Sequence, residues 1–206
     1  MAVSALPQAD RDRIVAAIVA AEAGTAGEIY VVVSHEAVDF RFIPVLWAAL
    51  AALPIPWPLH LLTTWSTTMI LIVQALTFVA VASVASLWPL RRALVPASIA
   101  ADAVRKDAHA QFLAHGIHLT EARTGVLIYV ALAERRVEIV ADDGIHRKVD
   151  QSAWDALARA VADAAKAGRL AEGIVNAVHG AGALLARHFP PPPVNRNELP
   201  DRVVEI

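Results

Sequence analysis

Three charged residues have types and positions that could support chemistry: Arg123, Asp142 and Asp143. The two adjacent carboxylates could bind Mg²⁺ or Ca²⁺, because hard cations take oxygen ligands. Neighbouring residues of an extended strand point in opposite directions, so both acids would reach one cation only if the chain turns there. Asp143–Gly144 is a common turn signal. The pair is therefore a candidate metal site, at which a bound Mg²⁺ could polarise a phosphate group for hydrolysis.

An ion pair with Arg123 is the alternative interpretation of the same residues. Arg123 comes just before an apolar run at 125–132, and Asp142 comes just after a second run at 137–141. If the two runs form antiparallel strands, the start of one lies beside the end of the other. An Arg123–Asp142 or Arg123–Asp143 pair would then place a guanidinium where a metal ion would otherwise sit. We favour the ion pair over the metal site.

The elements around these residues alternate between helix and strand. The predicted helices are 7–23, 98–115, 152–167 and 171–188, and the predicted strands are 28–34, 125–132 and 137–141. The first strand is apolar on both faces, which is typical of a central strand covered by helices on both sides. Only a short polar connection separates the last two strands, so we expect them to form a hairpin. The pattern predicts an α/β fold with helices on both faces of a sheet.

The charges are distributed very unevenly along the chain. The sequence has 18 Lys or Arg and 20 Asp or Glu, and none of them lies between residues 42 and 90. A helix of about 20 apolar residues crosses a hydrocarbon core about 30 Å thick. The uncharged stretch is long enough for two passes and too short for three. It predicts a transmembrane helical hairpin inserted between the first strand and the second helix of the sheet domain.

The two halves of this stretch differ. Residues 66–90 form an apolar span with Gln74 as its polar interruption, whereas the first half contains Pro54, Pro56 and Pro58. Because proline lacks an N–H, a regular helix is not expected through these three residues. We expect a first span at about 42–62 that is broken near Pro54 and turns back at 63–65. A shallow re-entrant segment that turns at 54–58 is the alternative.

The polar and basic residues of the hairpin suggest how it is placed. His60 and Gln74 are the strongly polar residues within it. We interpret them as an interfacial histidine and a glutamine that hydrogen-bonds across the hairpin, not as a transport path. Arg41 precedes the hairpin, and Arg91 and Arg92 follow it. Basic residues near the ends of spans favour the cytoplasm, so both flanking segments are predicted to be cytoplasmic.

Composition excludes several classes of function. The formal net charge of −2 predicts no affinity for nucleic acid. The chain has no cysteine, so it has no disulfide, no thiolate nucleophile and no cysteine-based metal site. The sequence contains neither a glycine-rich phosphate loop nor a nucleophile elbow.

The residues resemble a known family. The stretch FLAHGIHLTEARTGVLIYVALAERRVEIVADDGIHRKVD at 112–150, the helices after it and GEIYVVVS at 27–34 are similar to the TPM domain family. The resemblance covers everything except the hairpin and the tail. It implies a three-layer α/β/α sandwich, here interrupted by a two-helix transmembrane hairpin. It also implies weak phosphatase activity and a Ca²⁺ or Mg²⁺ cofactor.

Two motifs depart from the family pattern. Typical members enter the second strand through Asp-Asn-Gly, whereas this chain has Arg123–Thr124–Gly125. Typical members have Gly-Tyr-Gly after the third strand, whereas this chain has Asp142–Asp143–Gly144. The usual acid of the family is thus replaced by an arginine that would repel a cation. The implied metal and phosphatase chemistry therefore depends on Asp142 and Asp143 alone.

These observations lead to one overall expectation. Residues 1–40 and 91–190 form a TPM-like domain, 41–90 form the transmembrane hairpin, and 191–206 form a Pro-rich tail. We expect a protein of the bacterial inner membrane whose domain faces the cytoplasm and serves as a non-catalytic binding or scaffolding module. Its expected partners are the lipid bilayer and either another membrane protein or a second copy of itself. A weak metal-dependent phosphatase acting through Asp142 and Asp143 is the alternative.

Overall fold

The computed structural model describes residues 6–37, 42–87, 94–192 and 197–206. The helices are α1 (Gln8–Glu22), α2 (Phe42–Ala52), α3 (Pro56–Leu62), α4 (Thr67–Ala85), α5 (Ala97–Ala114), α6 (Asp143–His146), α7 (Gln151–Lys166) and α8 (Leu170–His188). The strands are β1 (Glu28–Ser34), β2 (Gly125–Ala131), β3 (Arg136–Ala141) and β4 (Val203–Glu205), and a 3-10 turn covers Ile117–Leu119. The chain divides into a sheet unit, up to residue 38 and from residue 101 onward, and a hairpin unit at 39–100.

The sheet unit is built on four strands in the order β3-β2-β1-β4. β1 and β2 are parallel, with Glu28 opposite Gly125 and Ser34 opposite Ala131. β3 is antiparallel to β2, as the short polar connection predicts. Every residue of β1 and β2 is buried, because helices cover both faces of these two central strands.

Alternate side chains of the central strands enter two separate cores. Ile29, Val31 and Val33 of β1 face the core shared with α1, α7 and α8, in which Trp154 is fully buried. The residues between them face a smaller core with Val104, Ala108 and Phe112 of α5. Helices therefore cover both faces of the sheet, and the predicted α/β/α sandwich is confirmed.

The C-terminal tail contains a strand that the sequence did not predict. β4 pairs in parallel with β1, with Val31 opposite Val203 and Val33 opposite Glu205. The Arg11 side chain on α1 lies 2.9 Å from the Glu205 carboxylate, which attaches the tail to the helical layer as well. The described tail is therefore the fourth strand of the sheet and not only an extended appendage.

The hairpin unit consists of apolar helices. Its first apolar segment breaks after Ala52, near Pro54, as expected. The chain becomes helical again at Pro56, and both Pro56 and Pro58 lie in the first turn of α3, where a missing N–H costs no helical hydrogen bond. α4 is capped by Ser66, whose Oγ accepts the Met69 N–H. The flanking basic residues 41, 91 and 92 lie outside the described residues.

Candidate functional site

The candidate site lies where β2 begins and β3 ends. The backbone N–H of Asp142 donates to the Gly125 carbonyl at 3.0 Å, so the end of β3 is held beside the start of β2. Gly125 is required there, because a Cβ atom would lie 2.4 Å from the carbonyl oxygen of Ile117. Thr124 is buried, and its hydroxyl donates to the Ala26 carbonyl at 2.8 Å, which connects this strand entry to the segment before β1.

Arg123 and Asp142 are in contact at this strand end. The Arg123 Nε lies 3.7 Å from Asp142 Oδ1, and the same guanidinium donates to the His118 carbonyl. The Arg123 side chain is 50% exposed, whereas the Asp142 side chain is only 4% exposed. Water therefore screens the arginine end of the pair more than the acid end. The ion pair that the antiparallel arrangement predicted is confirmed for Asp142.

Asp142 also has a structural role as the N-cap of α6. Its Oδ1 accepts the backbone N–H of Asp143 at 2.7 Å, as short polar side chains often do at helix starts. Its Oδ2 is buried and has no hydrogen-bond partner among the described residues. One carboxylate oxygen is thus shared between the cap and Arg123, and the other faces a closed interior.

Asp143 lies in a different environment from its neighbour. It is the first residue of α6 and its side chain is exposed, whereas Asp142 is buried. Gly144 follows with a backbone so close to Arg123 that a Cβ atom would lie 2.5 Å from the Arg123 carbonyl oxygen. The turn at Asp-Gly is present, but one acid faces the interior and the other faces solvent.

The residues present do not fit the divalent cation that the family resemblance implies. Ca²⁺ takes six to eight oxygen ligands. Within the described ranges, no group of three or more His, Asp or Glu side chains is arranged to hold a metal ion. The Arg123 guanidinium also lies against the single oxygen of Asp142 that is turned toward the strand entry. Metal binding by Asp142 and Asp143 therefore stays a prediction from the sequence, and the geometry of the two acids does not support it.

A second polar cluster holds the C-terminal tail. Glu28, the first residue of β1, accepts the N–H groups of Glu198 and Leu199 at 3.3 and 3.2 Å. Glu22, at the end of α1, accepts the Ile29 N–H at 2.6 Å. Both acids are at least nine-tenths buried. No local sequence pattern indicates this cluster, because it forms only when the tail folds back against β1.

The acids of this cluster hold their protons unusually strongly. Burial raises the pKa of Glu22 from its ordinary value of 4.5 to about 8, and the nearby charges of Glu28 and Asp201 raise it further, against the opposing effect of the Ile29 N–H. Burial likewise raises the pKa of Glu28, although the Glu198 and Leu199 N–H groups act in the opposite direction. We therefore expect deprotonation of these acids, as the pH rises, to destabilise this cluster.

The two polar residues of the hairpin unit do not form a site. His60 is exposed on α3, and Gln74 is half-buried on α4. Gln74 makes no side-chain hydrogen bond with another described residue, so the bond across the hairpin that the sequence suggested is not formed within the described part of the chain.

Comparison with known proteins agrees with this architecture. The NMR structure of the BA42 protein from the psychrophilic bacterium Bizionia argentinensis is similar over 100% of this chain and 99% of that chain, with a TM-score of 0.62 and 22% sequence identity. At this identity the likeness concerns the fold alone. No curated protein matches the chain in sequence. The family model described as the TPM domain matches residues 80–184, which include α5, the candidate site, α7 and most of α8.

The matched segment is just over half of the chain and contains the strand entry where Arg123 and Asp142 meet. The sandwich, the four-stranded sheet and the motif-bearing stretch at 112–150 are consistent with the same assignment. The chain belongs to the TPM domain family.

Proposed function

We propose that this protein is a membrane-anchored TPM-domain protein of the bacterial inner membrane. In this proposal the hairpin unit crosses the bilayer twice, and the sheet unit lies on the cytoplasmic side. The sheet unit serves as a non-catalytic binding or scaffolding module. The exposed apolar side chains of the hairpin unit support the anchoring. The burial of Asp142 and its contact with Arg123 support a role without catalysis.

The observation that carries the proposal is the exposure of large apolar side chains on the hairpin helices. Trp57 is 75% exposed, Leu62 is 82% exposed and Leu76 is 64% exposed. Large apolar side chains exposed in such number on these helices are rare on proteins that face only water, and they are what helices in lipid present. Within the unit, small residues such as Ala48 and Ala52 are buried, which permits close helix packing.

The lengths of the two apolar segments suit a bilayer. Two candidate spans are long and apolar enough to cross a membrane, Phe42–Leu62 with 21 residues and Thr67–Ala85 with 19. At about 1.5 Å per residue, α4 is roughly 28 Å long, close to the hydrocarbon thickness of about 30 Å. The lack of charged residues between 42 and 90 and the basic residues just outside that stretch support two passes with cytoplasmic ends.

The candidate site supports binding more than catalysis. A phosphatase acting through Asp142 would need the carboxylate free to hold a metal or a phosphate-bound water. Here Asp142 is buried, caps α6 and lies against Arg123. The alternative of a phosphatase acting through Asp142 and Asp143 is therefore the weaker proposal.

Alkaline extraction tests the anchoring directly. Membranes from cells that express the chain are washed with carbonate at high pH, and the chain is expected to remain in the pellet. Leu76→Arg, on the exposed surface of α4, should lower the pelleted fraction, because an arginine at the centre of a span costs about 2.5 to 3.5 kcal/mol. Leu113→Arg is the matched control, since Leu113 is 58% exposed on α5. Release of the unmodified chain by carbonate would refute the anchoring.

A further inference from the structure

We propose that the binding partner of the sheet unit is a second copy of this chain, which pairs along the free edge of β3. The inference rests on the proposed binding role and names its partner. In the resulting dimer the four-stranded sheets of the two copies join into one sheet of eight strands. A two-fold axis passes beside Val137, so both copies use the same surface, as symmetric dimers require.

The first observation is the unpaired edge of β3. In the described sheet, β3 is an end strand and pairs only with β2. Because the Asp142 N–H donates to Gly125, alternation along the ladder turns the backbone groups of residues 138 and 140 toward β2. The N–H and C=O groups of Val137 and Ile139 therefore point away from the sheet. An edge of this kind is a template for another strand.

The second observation is a groove beside that edge. A cavity of about 430 Å³ lies between α5 and α7, with Val137 and Ile139 of β3 in its lining. A second cavity of about 370 Å³ continues from it and shares Arg135, Arg136 and Val137. The edge is thus flanked by space that an added strand and its side chains could fill.

The third observation is that every wall of the groove carries both an acid and an arginine. These residues are Asp102 and Arg105 on α5, Arg135, Arg136 and Glu138 on β3 and the turn before it, and Asp155 and Arg159 on α7. All seven line the same cavity, and Arg105 contacts Glu138 at 3.2 Å, which places the α5 pair beside the charges of β3. A two-fold axis beside Val137 would place each wall antiparallel to the same wall of the other copy. Each acid would then lie near an arginine of the other copy. The surface is complementary to itself.

The charges also select the register of the two edge strands. With Val137 opposite the partner's Val137, Arg136 lies opposite the partner's Glu138, and the reciprocal pair forms by symmetry. Moving the axis to residue 138 would place Glu138 opposite its own copy, and like charges directly opposite are destabilising. Moving it to Ile139 leaves Glu138 opposite a valine. The register centred on Val137 is the one that places opposite charges across from each other on this strand.

Arg159 supports a partner that supplies carboxylates. Its side chain is exposed and makes no ion pair with a described residue. Among the residues that the structure describes, Asp155, one helical turn earlier, accepts a side-chain hydrogen bond from Gln151 alone, at 3.0 Å. In the dimer each Arg159 faces the Asp155 of the other copy. Anchoring in one membrane would favour this association further, because it raises the local concentration of the copies.

Cysteine cross-linking tests the geometry, and the lack of native cysteine removes background. Val137→Cys is introduced into the full-length chain, which is purified in detergent and mildly oxidised. Directly opposite hydrogen-bonded residues have Cα atoms about 5.5 Å apart, within the range of a disulfide. The covalent dimer should form rapidly. Val203→Cys, also partly buried but on the opposite edge strand, is the matched control and should not cross-link.

A charge reversal tests the complementarity without altering the core. Asp155→Arg should weaken dimerisation at least about tenfold, because symmetry removes two attractive pairs and creates two repulsive ones. Asp155→Arg combined with Arg159→Asp should restore it. Asp12→Arg on α1 is the matched control, because Asp12 is also exposed and also accepts from a glutamine four residues earlier, at 2.8 Å. The masses of the detergent-solubilised chains give the fraction of dimer.

Each outcome decides the proposal. A monomeric chain, a dimer insensitive to Asp155→Arg, or cross-linking through Val203→Cys alone would overturn it. A dimer joined only by the hairpin units would leave Val137→Cys uncross-linked and would also overturn it. An acidic extended peptide that binds a monomer at this groove would replace the second copy as the occupant. Because these measurements use detergent-solubilised protein, their failure is distinct from failure of the anchoring, which alkaline extraction measures.

Discussion

The contact between Arg123 and Asp142 can be isolated by comparing two arginines with the same backbone strain. Arg123 and Arg135 both have left-handed backbone angles, with φ of 55° and 54°. Arg123 contacts Asp142 and the His118 carbonyl, whereas the Arg135 side chain makes no contact of this kind with a described residue. Replacing each with glycine relieves the same strain. The variants should differ by the contacts of the Arg123 side chain.

The expected difference follows from burial. A non-glycine residue in the left-handed region destabilises the folded state by about 1 to 2 kcal/mol, and glycine removes that cost. Glycine also makes the unfolded chain more flexible, which destabilises the folded state by about 0.5 to 1 kcal/mol. Arg135→Gly should therefore be neutral or slightly stabilising. Removing the partner of a fully buried charge costs about 3 to 5 kcal/mol. Arg123 is 50% exposed, so solvent already screens the pair. Arg123→Gly should therefore be less stable than Arg135→Gly by about 1 to 3 kcal/mol.

The assay is thermal unfolding in detergent, with deuterium uptake by β1 and β2 to report on the sheet unit. A change of 1 kcal/mol shifts Tm by about 2 to 4 °C for a chain of this size. The Tm of Arg123→Gly should be several degrees below that of Arg135→Gly. Adding Asp142→Asn to Arg123→Gly should recover most of the loss, because asparagine keeps the cap without the charge. Equal Tm values for the two glycine variants would refute the reasoning.

Three further predictions follow from the same geometry. Since the folded-state pKa of Glu22 is about 8 and lies above its ordinary value of 4.5, stability present below pH 4.5 should fall as the pH rises to 8. At about 1.4 kcal/mol per pKa unit this loss is at most roughly 5 kcal/mol, and Glu22→Gln should abolish most of it. Denaturant midpoints at pH 5 and 8.5 measure the loss, and the same pH dependence in Glu22→Gln as in the unmodified chain would contradict this role of Glu22. Titration with Ca²⁺ or Mg²⁺ should leave Tm unchanged. A cation that binds at a hundredfold excess over its Kd would instead raise the free energy of unfolding by about 2.7 kcal/mol. A rise in Tm that is lost in Asp142→Asn or Asp143→Asn would support the metal site. Gly125→Ala should destabilise the sheet unit by about 1 to 3 kcal/mol in the same melts, because its Cβ would lie 2.4 Å from the Ile117 carbonyl oxygen, and a Tm unchanged by the alanine would contradict this close approach.

The central strands could be predicted because their signal is local. Residues 29–33 and 125–131 are apolar runs whose side chains enter two cores, so their sequence carries the signature of burial on both faces. The Arg123–Asp142 contact could also be predicted, since two antiparallel strands joined by a short turn place the start of one beside the end of the other. In both cases the information lies within a short segment.

The fourth strand could not be predicted in the same way. Residues 203–205 are too short to show a period, and their strand conformation comes from pairing with β1. Glu22 reads as an ordinary polar residue near a helix end, and its burial depends on contacts with the Ile29 N–H and the tail. Contacts between segments far apart in sequence decide both features.

Membrane topology is the most direct test of the anchoring and cytoplasmic orientation. Single cysteines are placed at Thr64, in the exposed turn between α3 and α4, at Ala9 on α1 and at Ala183 on α8, all exposed positions in a chain without native cysteine. Spheroplasts are then treated with a membrane-impermeant maleimide before or after permeabilisation. Two passes with a cytoplasmic sheet unit predict that Thr64→Cys reacts in intact spheroplasts and that Ala9→Cys and Ala183→Cys react only after permeabilisation. Labelling of Ala183→Cys in intact spheroplasts, or protection of Thr64→Cys until permeabilisation, would contradict the account.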